Sequence, residues 1–191
     1  PRNAQILKFE DIKYKYKPDD FEVCIAIGEP TIRKILFDKL IINNVLITTL
    51  IHPEVYIPKS TVIGKGTIIN KFTSISCDSV VGENVYIHPI ACVGHDSTIG
   101  NHAIISSYVD VAGDCNVGEC AFLAINVIMK QGTSIGRLKT SVTDANTIVV
   151  TALKAVTFVS TSNVIVGSST TIIGRALCTP ATTNAACTAI S

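Results

Sequence analysis

Counting by sixes from Ile51, the chain shows an aliphatic residue at fifteen successive positions: Ile51, Ile57, Ile63, Ile69, Ile75, Val81, Ile87, Val93, Ile99, Ile105, Val111, Val117, Leu123, Met129 and Ile135. Hydrophobic residues make up 47 % of the chain, so chance placement does not produce such a run. A fixed short period means a stacked repeat rather than an ordinary globular core. Four residues after each aliphatic position stands a small or β-branched residue, from Thr61, Thr67, Thr73 and Ser79 through Cys115, Ala121, Val127 and Thr133. At every third step glycine follows the aliphatic residue, as Gly64, Gly82, Gly100, Gly118 and Gly136. These glycines are 18 residues apart, so three hexads form one unit.

Three short strands per turn predict a triangular coil whose turns stack at about the strand spacing of ~4.8 Å. Each hexad is one side of the prism. Its aliphatic residue points inward onto the equivalent residue 18 positions away, and the small residue fits near the corner. The glycines are expected to supply corner conformations that a Cβ would hinder. One coil cannot bury its inner face, whereas about five stacked coils can. A sandwich of short strands would alternate with period two and lack the 18-residue beat.

The reading divides the chain at residues 1–49, 50–136 and 137–191. In the first part, 21–27 predicts a buried strand and Gly28-Glu29-Pro30 a turn. A helix follows from Thr31 to about Leu40, with Thr31 as its cap and Ile32, Ile35, Leu36 and Leu40 as its apolar face. A further strand, Val45 to Leu50, enters the repeats, giving part of a small α/β unit. Lys13 to Lys17 reads as a solvated face. After Arg137 the rule lapses at Ser141 and Thr147 and returns weakly at Leu153, Val159 and Ile165, an atypical tail that could hold further coils.

The net charge of +1 gives no reason to expect nucleic acid or an anionic membrane as partner. No apolar run approaches the roughly 18 residues needed to span a bilayer. Seven cysteines with no C-x-x-C pair fit neither a disulfide framework nor a zinc site, which points to a reducing cytoplasm.

The string Leu50-Ile51-His52-Pro53, the hexads, and then Val93-Gly94-His95-Asp96-Ser97 resemble the NeuD-like family of sugar acyltransferases. Ala26-Ile27-Gly28 with Arg33 is similar to the second half of that family's N-terminal domain. The resemblance covers roughly residues 20–136. It implies a left-handed parallel β-helix, an exception to the usual right-handed crossover. It also implies a homotrimer with acetyl-CoA held between neighbouring β-helices, a sugar or nucleotide-sugar acceptor, and no metal. By the same resemblance His95 is the general base, Asp96 the residue that orients it, and Gly113 the backbone N–H contact of the thioester. His88 stands where the family commonly has Asn, a substrate-binding position, and Ile104 where it often has His.

Acyl transfer from a thioester needs an acceptor relieved of its proton, donors for the developing oxyanion, and a held thioester. Histidine suits the first task because it titrates near neutral pH. His95 occupies the third place of its hexad, between the inward positions Val93 and Ser97, and is expected to project outward. Asp96 beside it could fix the tautomer. The 18-residue beat puts Gly113 one coil above His95 and Cys77 one coil below.

Four alternatives are open to the sequence. Cys77 could accept the acyl group as a nucleophile. Asp78, Asp96 and Asp114 form an 18-spaced column that could bridge a cation, although acidic residues are common in turns. A γ-class carbonic anhydrase would need three histidines on one zinc. His88, His95 and His102 step by seven and should turn away from one another, while His52 lies two coils from His88. A non-catalytic β-helix would want an outward threonine ladder, whereas the threonines here sit mainly at the inward small position.

Overall fold

The computed structural model describes residues 7–136, 138–144, 147–152 and 163–166. Its repeats form a parallel β-solenoid of about five coils, built from two-residue strands. The first side stacks Val62–Ile63, Val80–Val81, Thr98–Ile99, Asn116–Val117 and Ser134–Ile135. The second stacks Leu50–Ile51, Ile68–Ile69, Tyr86–Ile87, Ile104–Ile105 and Phe122–Leu123. The third stacks Ser74–Ile75, Cys92–Val93, Asp110–Val111 and Ile128–Met129. Every pairing is offset by 18 residues, so the beat in the sequence is the register of the sheets.

The aliphatic residues of the hexads fill the interior. Ile87, Val93, Ile99, Ile105, Val111, Val117 and Leu123 all have no exposed surface. The small positions satisfy the corners. Thr67, Ser79 and Ser97 each donate a hydroxyl to the carbonyl 15 residues ahead, on Gly82, Gly94 and Ala112, at 2.8 to 3.0 Å. An inward polar group that closes such a bond costs little, and the carbonyl it meets is satisfied.

The expected role of the glycines needs correcting. Among the described glycines only Gly66 and Gly132 have positive φ. The left-handed corner positions are held instead by Phe72, Asp78, Asn84, Ile90, Asp96, His102, Tyr108, Asp114, Cys120 and Asn126. The repeat glycines are needed for close approach. A Cβ on Gly100 would fall 2.5 Å from Glu119 N, a backbone atom of the next coil.

Before the repeats come helix α1 (Phe9–Lys15), strand β1 (Glu22–Val23), helix α2 (Pro30–Ile42) and strand β2 (Leu46–Ile47). β1 pairs parallel with β2, and Ile25, Phe37, Leu40 and Val45 form a separate small core. Two details of α2 differ from expectation. Its cap is Glu29, whose carboxylate accepts from Ile32 N at 2.7 Å, because Pro30 takes the first helical position, where its fixed φ fits and no N–H is needed. Its buried face is Pro30, Arg33, Phe37 and Leu40, while Ile32 and Ile35 are exposed.

Arg33 explains that choice of face. It is fully buried and donates to the carbonyls of Ile25 and Ile27, to Asn84 O at 3.0 Å and to Asn84 Oδ1 at 2.7 Å. Burial holds its pKa down at about 10. The Asn84 amide donates onward to Arg33 O at 3.1 Å and to His102 Nδ1 at 2.9 Å. Phe37 lies edge-on to the His102 ring, 5.2 Å between centroids. This buried chain fastens the helical unit to the solenoid corner between the first and second sides. Among the described residues no helix is long and apolar enough to cross a membrane.

After the last full coil, Leu138–Asp144 joins the second side through Lys139 opposite Phe122 and pairs antiparallel with Thr147–Ala152. Leu153 and Val159, where the six-residue rule returns, lie outside the described residues.

Truncating the interior tests the stacking. Ile105→Ala should cost about 2–5 kcal/mol in urea unfolding, the usual range for a buried aliphatic residue cut to alanine. A loss below 1 kcal/mol would mean the column is not packed as described. The buried chain predicts a pH effect. Desolvation, then Lys34, pushes the His102 pKa down, and its Nδ1 must be unprotonated to accept from Asn84. The unfolded histidine takes its proton first, so stability is full above the ordinary histidine value and falls as pH drops through and below it. His102→Gln should flatten that slope in the urea midpoint, leaving a remainder from His88, whose pKa is also lowered by desolvation and then by Arg33. An unchanged slope would contradict the arrangement.

Candidate active site

The strand Cys92–Val93 delivers the chain to the corner between the third and first sides, where His95 and Asp96 make the turn. Asp96 takes the left-handed conformation, φ 56°, one that a short polar residue tolerates. Backbone bonds fix the turn from both coils. Asp96 N donates down to Cys77 O at 3.2 Å, and Asp114 N donates to His95 O at 2.8 Å. Gly94 lets the coils close, since a Cβ there would sit 2.5 Å from Ala112 C and Gly113 N.

The side chains of His95 and Asp96 are both solvent-exposed and meet at 2.7 Å between Nδ1 and Oδ2. A carboxylate oxygen accepts, so Nδ1 donates in this contact and Nε2 is the ring nitrogen left for another partner. The ring lies over Gly113: a Cβ built there would fall 2.5 Å from Nε2 and 2.7 Å from Cε1. Only glycine admits this ring position. The flanking amides are committed, Ala112 N to Met129 O at 3.2 Å and Asp114 N to His95 O, whereas the Gly113 N–H makes no ladder bond.

His95, Asp96 and Gly113 therefore meet, as their spacing suggested. Cys77 is an exposed free thiol on the coil below. His88 lies elsewhere, at the end of Tyr86–Ile87 and across the third side from His95. It stacks on Tyr86 with 4.3 Å between ring centroids, and the Arg33 guanidinium lies 5.4 Å from the Tyr86 ring centre. His102 is buried against Asn84, and His52 Nδ1 accepts from Glu54 N at 3.2 Å. The four histidines thus occupy separate settings. Among the described residues no three His, Cys, Asp or Glu side chains are grouped to hold a metal. The sequence reading missed the service of Ser97, whose hydroxyl donates to Ala112 O at 3.0 Å and to His95 O at 3.3 Å. Its signal was the polar residue at an inward small position.

The structure is a parallel β-solenoid of six-residue repeats with a histidine–carboxylate pair over a glycine at one corner. The family described as bacterial transferase hexapeptide (six repeats) matches residues 78–113. No curated protein matches the chain. Among solved structures, PerB from Caulobacter crescentus in complex with CoA and GDP-perosamine is 29 % identical with a TM-score of 0.59, over 67 % of this chain and 58 % of PerB. The acetyltransferase domain of PglB from Neisseria gonorrhoeae, bound to acetyl coenzyme A, is similar at 18 % identity with a TM-score of 0.68, over 73 % of this chain and 77 % of that one. WeeI from Acinetobacter baumannii matches at 19 % identity with a TM-score of 0.58, over 68 % and 72 % of the two chains. Over residues 78–113 the chain carries repeats like those of that family, and it shares the fold of these solved structures.

The contact between Gly113 and the ring is directly testable. Gly113→Ala should fold normally by circular dichroism but displace the imidazole, shifting the His95 ring signals in histidine-selective NMR. Unmoved His95 signals would show that the ring does not rest on that glycine.

Proposed function

We propose that the chain is an acetyl-CoA-dependent acetyltransferase acting on an amine or hydroxyl of a sugar or nucleotide sugar. The observation that carries this reading is the exposed His95, held through Nδ1 by Asp96 and seated on a glycine whose N–H is uncommitted. CoA and GDP-perosamine in PerB and acetyl coenzyme A in the PglB domain support the choice of donor and acceptor class.

The acceptor nitrogen or oxygen attacks the thioester carbonyl while His95 Nε2 removes its proton, and Asp96 stabilises the imidazolium that forms. Negative charge gathers on the carbonyl oxygen, where the Gly113 N–H can donate to it. Collapse of the tetrahedral intermediate breaks the C–S bond. The CoA thiolate leaves and takes up the proton that His95 received. No covalent enzyme intermediate is required, so Cys77 has no part in this sequence of steps.

We assign His88 to acceptor binding, in a homotrimer. Within one protomer it lies at a different corner from His95, so it would act on an acceptor held by a neighbour's histidine, with Tyr86 as a stacking surface for the sugar. Cys24, Cys77, Cys92 and Cys115 are free thiols, which supports a cytoplasmic setting.

The test is CoA release with acetyl-CoA and a panel of amino-sugar nucleotides and sialic acid. Turnover with at least one acceptor is expected, reduced about 10²–10⁴-fold in kcat by His95→Ala and unchanged in Cys77→Ala. Full activity in His95→Ala would remove the base. Trapped acyl-enzyme lost in Cys77→Ala would replace direct attack with a two-step route.

A further inference from the structure

The inward small positions differ among the three corners. Where the third side meets the first, the corner that carries His95, they are Thr61, Ser79, Ser97, Cys115 and Thr133, a hydroxyl or thiol in every coil. At the other two corners a hydroxyl stands only at the start. Thr67 is followed by Val85, Ala103 and Ala121, and Thr73 by Ala91, Val109 and Val127. The coils stack in the same register on all three sides, so stacking does not require the hydroxyl. Ser97 is 1 % exposed. Its Oγ accepts from Cys115 N at 3.1 Å and donates to Ala112 O at 3.0 Å, with a longer contact to His95 O at 3.3 Å. Ala112 O and the Gly113 N–H belong to one peptide unit, and in a trans peptide these two groups point in opposite directions. A carbonyl held inward by Ser97 therefore turns the Gly113 N–H outward, to the side where the His95 ring lies.

We infer that Ser97 is a positioning residue for acyl transfer: its hydroxyl aims the Gly113 N–H at the carbonyl oxygen of the thioester and strengthens it as a donor. This rests on the acyl-transfer reading and adds to it a buried side chain that touches neither donor nor acceptor. The bonds run in one direction. Cys115 N–H donates to Ser97 Oγ, whose proton goes to the Ala112 carbonyl, and the same peptide presents the Gly113 N–H. Bonds in such a chain polarise one another. The effect grows as the thioester oxygen gains charge, so it acts on the transition state more than on the bound donor. The contact with His95 O ties the turn of the base to the same hydroxyl.

The other corners show which substitutions the inward position admits: alanine, as at Ala103, and valine, as at Val85. Ser97→Ala and Ser97→Val should each lower kcat roughly tenfold, the loss expected for one hydrogen bond. The calorimetric Kd for acetyl-CoA should change less than about twofold, because the bond acts mainly in the transition state. The pH profile of kcat/KM, set by His95, should keep its position. Ser97→Thr has the shape of valine and keeps the hydroxyl, so it should retain the wild-type kcat. Thr67→Ala removes a matching pair of bonds at another corner, from Val85 N at 3.1 Å and to Gly82 O at 2.8 Å. It should lower stability as Ser97→Ala does and leave kcat unchanged. Wild-type kcat in Ser97→Val, or an equal loss of kcat in Ser97→Thr or Thr67→Ala, would overturn the role of Ser97 while leaving acyl transfer by His95 in place. No turnover by the wild-type protein with any acceptor of the panel would overturn both.

Discussion

The structure depends on one constraint, the parallel hydrogen bond from the first N–H of a strand to the carbonyl 17 residues ahead, on the next coil. Val62 donates to Ser79, Val80 to Ser97, Thr98 to Cys115 and Asn116 to Thr133, all at 2.8 to 3.0 Å. That ladder fixes which residue lies above which, so the column Cys77, His95, Gly113 follows from backbone register. An insertion of one residue between His95 and Gly113 would carry the ring away from the glycine and move inward residues toward the outer face. The core and the candidate site are therefore set by the same bonds.

Much of this was legible in the sequence because it rests on periodicity. The hexads, the inward small residues and the meeting of His95, Asp96 and Gly113 are consequences of counting. The conformational role of the glycines was not. A six-residue pattern does not distinguish a glycine needed for φ from one needed for close approach, and Gly100 proves to be the second kind while Ile90 and Tyr108 sit at positive φ. The buried face of α2 was also hidden. Ile32 and Ile35 outrank Arg33 in any apolar count, yet Arg33 is inside, because the carbonyls of Ile25, Ile27 and Asn84 converge there and need a donor. Such a need arises only once the helix and the solenoid corner are brought together.

The two polar centres contrast in burial and in hydrogen bonding. The Arg33–Asn84–His102 chain is buried and its polar groups bond to one another, which makes it a costly place to remove one partner. It belongs to the architecture. The His95–Asp96 pair is exposed and leaves Nε2 and the Gly113 N–H without a bond to the ladder, as the proposed acyl transfer requires. His88 falls between these extremes, half-buried against Tyr86 at a different corner from His95.

A crystal structure of the protein with acetyl-CoA tests the central claim most directly, because it asks whether the His95 corner is where acyl transfer takes place. The account predicts the thioester carbonyl within hydrogen-bonding distance of the Gly113 N–H, with His95 Nε2 open on the side from which an acceptor would approach. Acetyl-CoA bound with its thioester at another corner would contradict it.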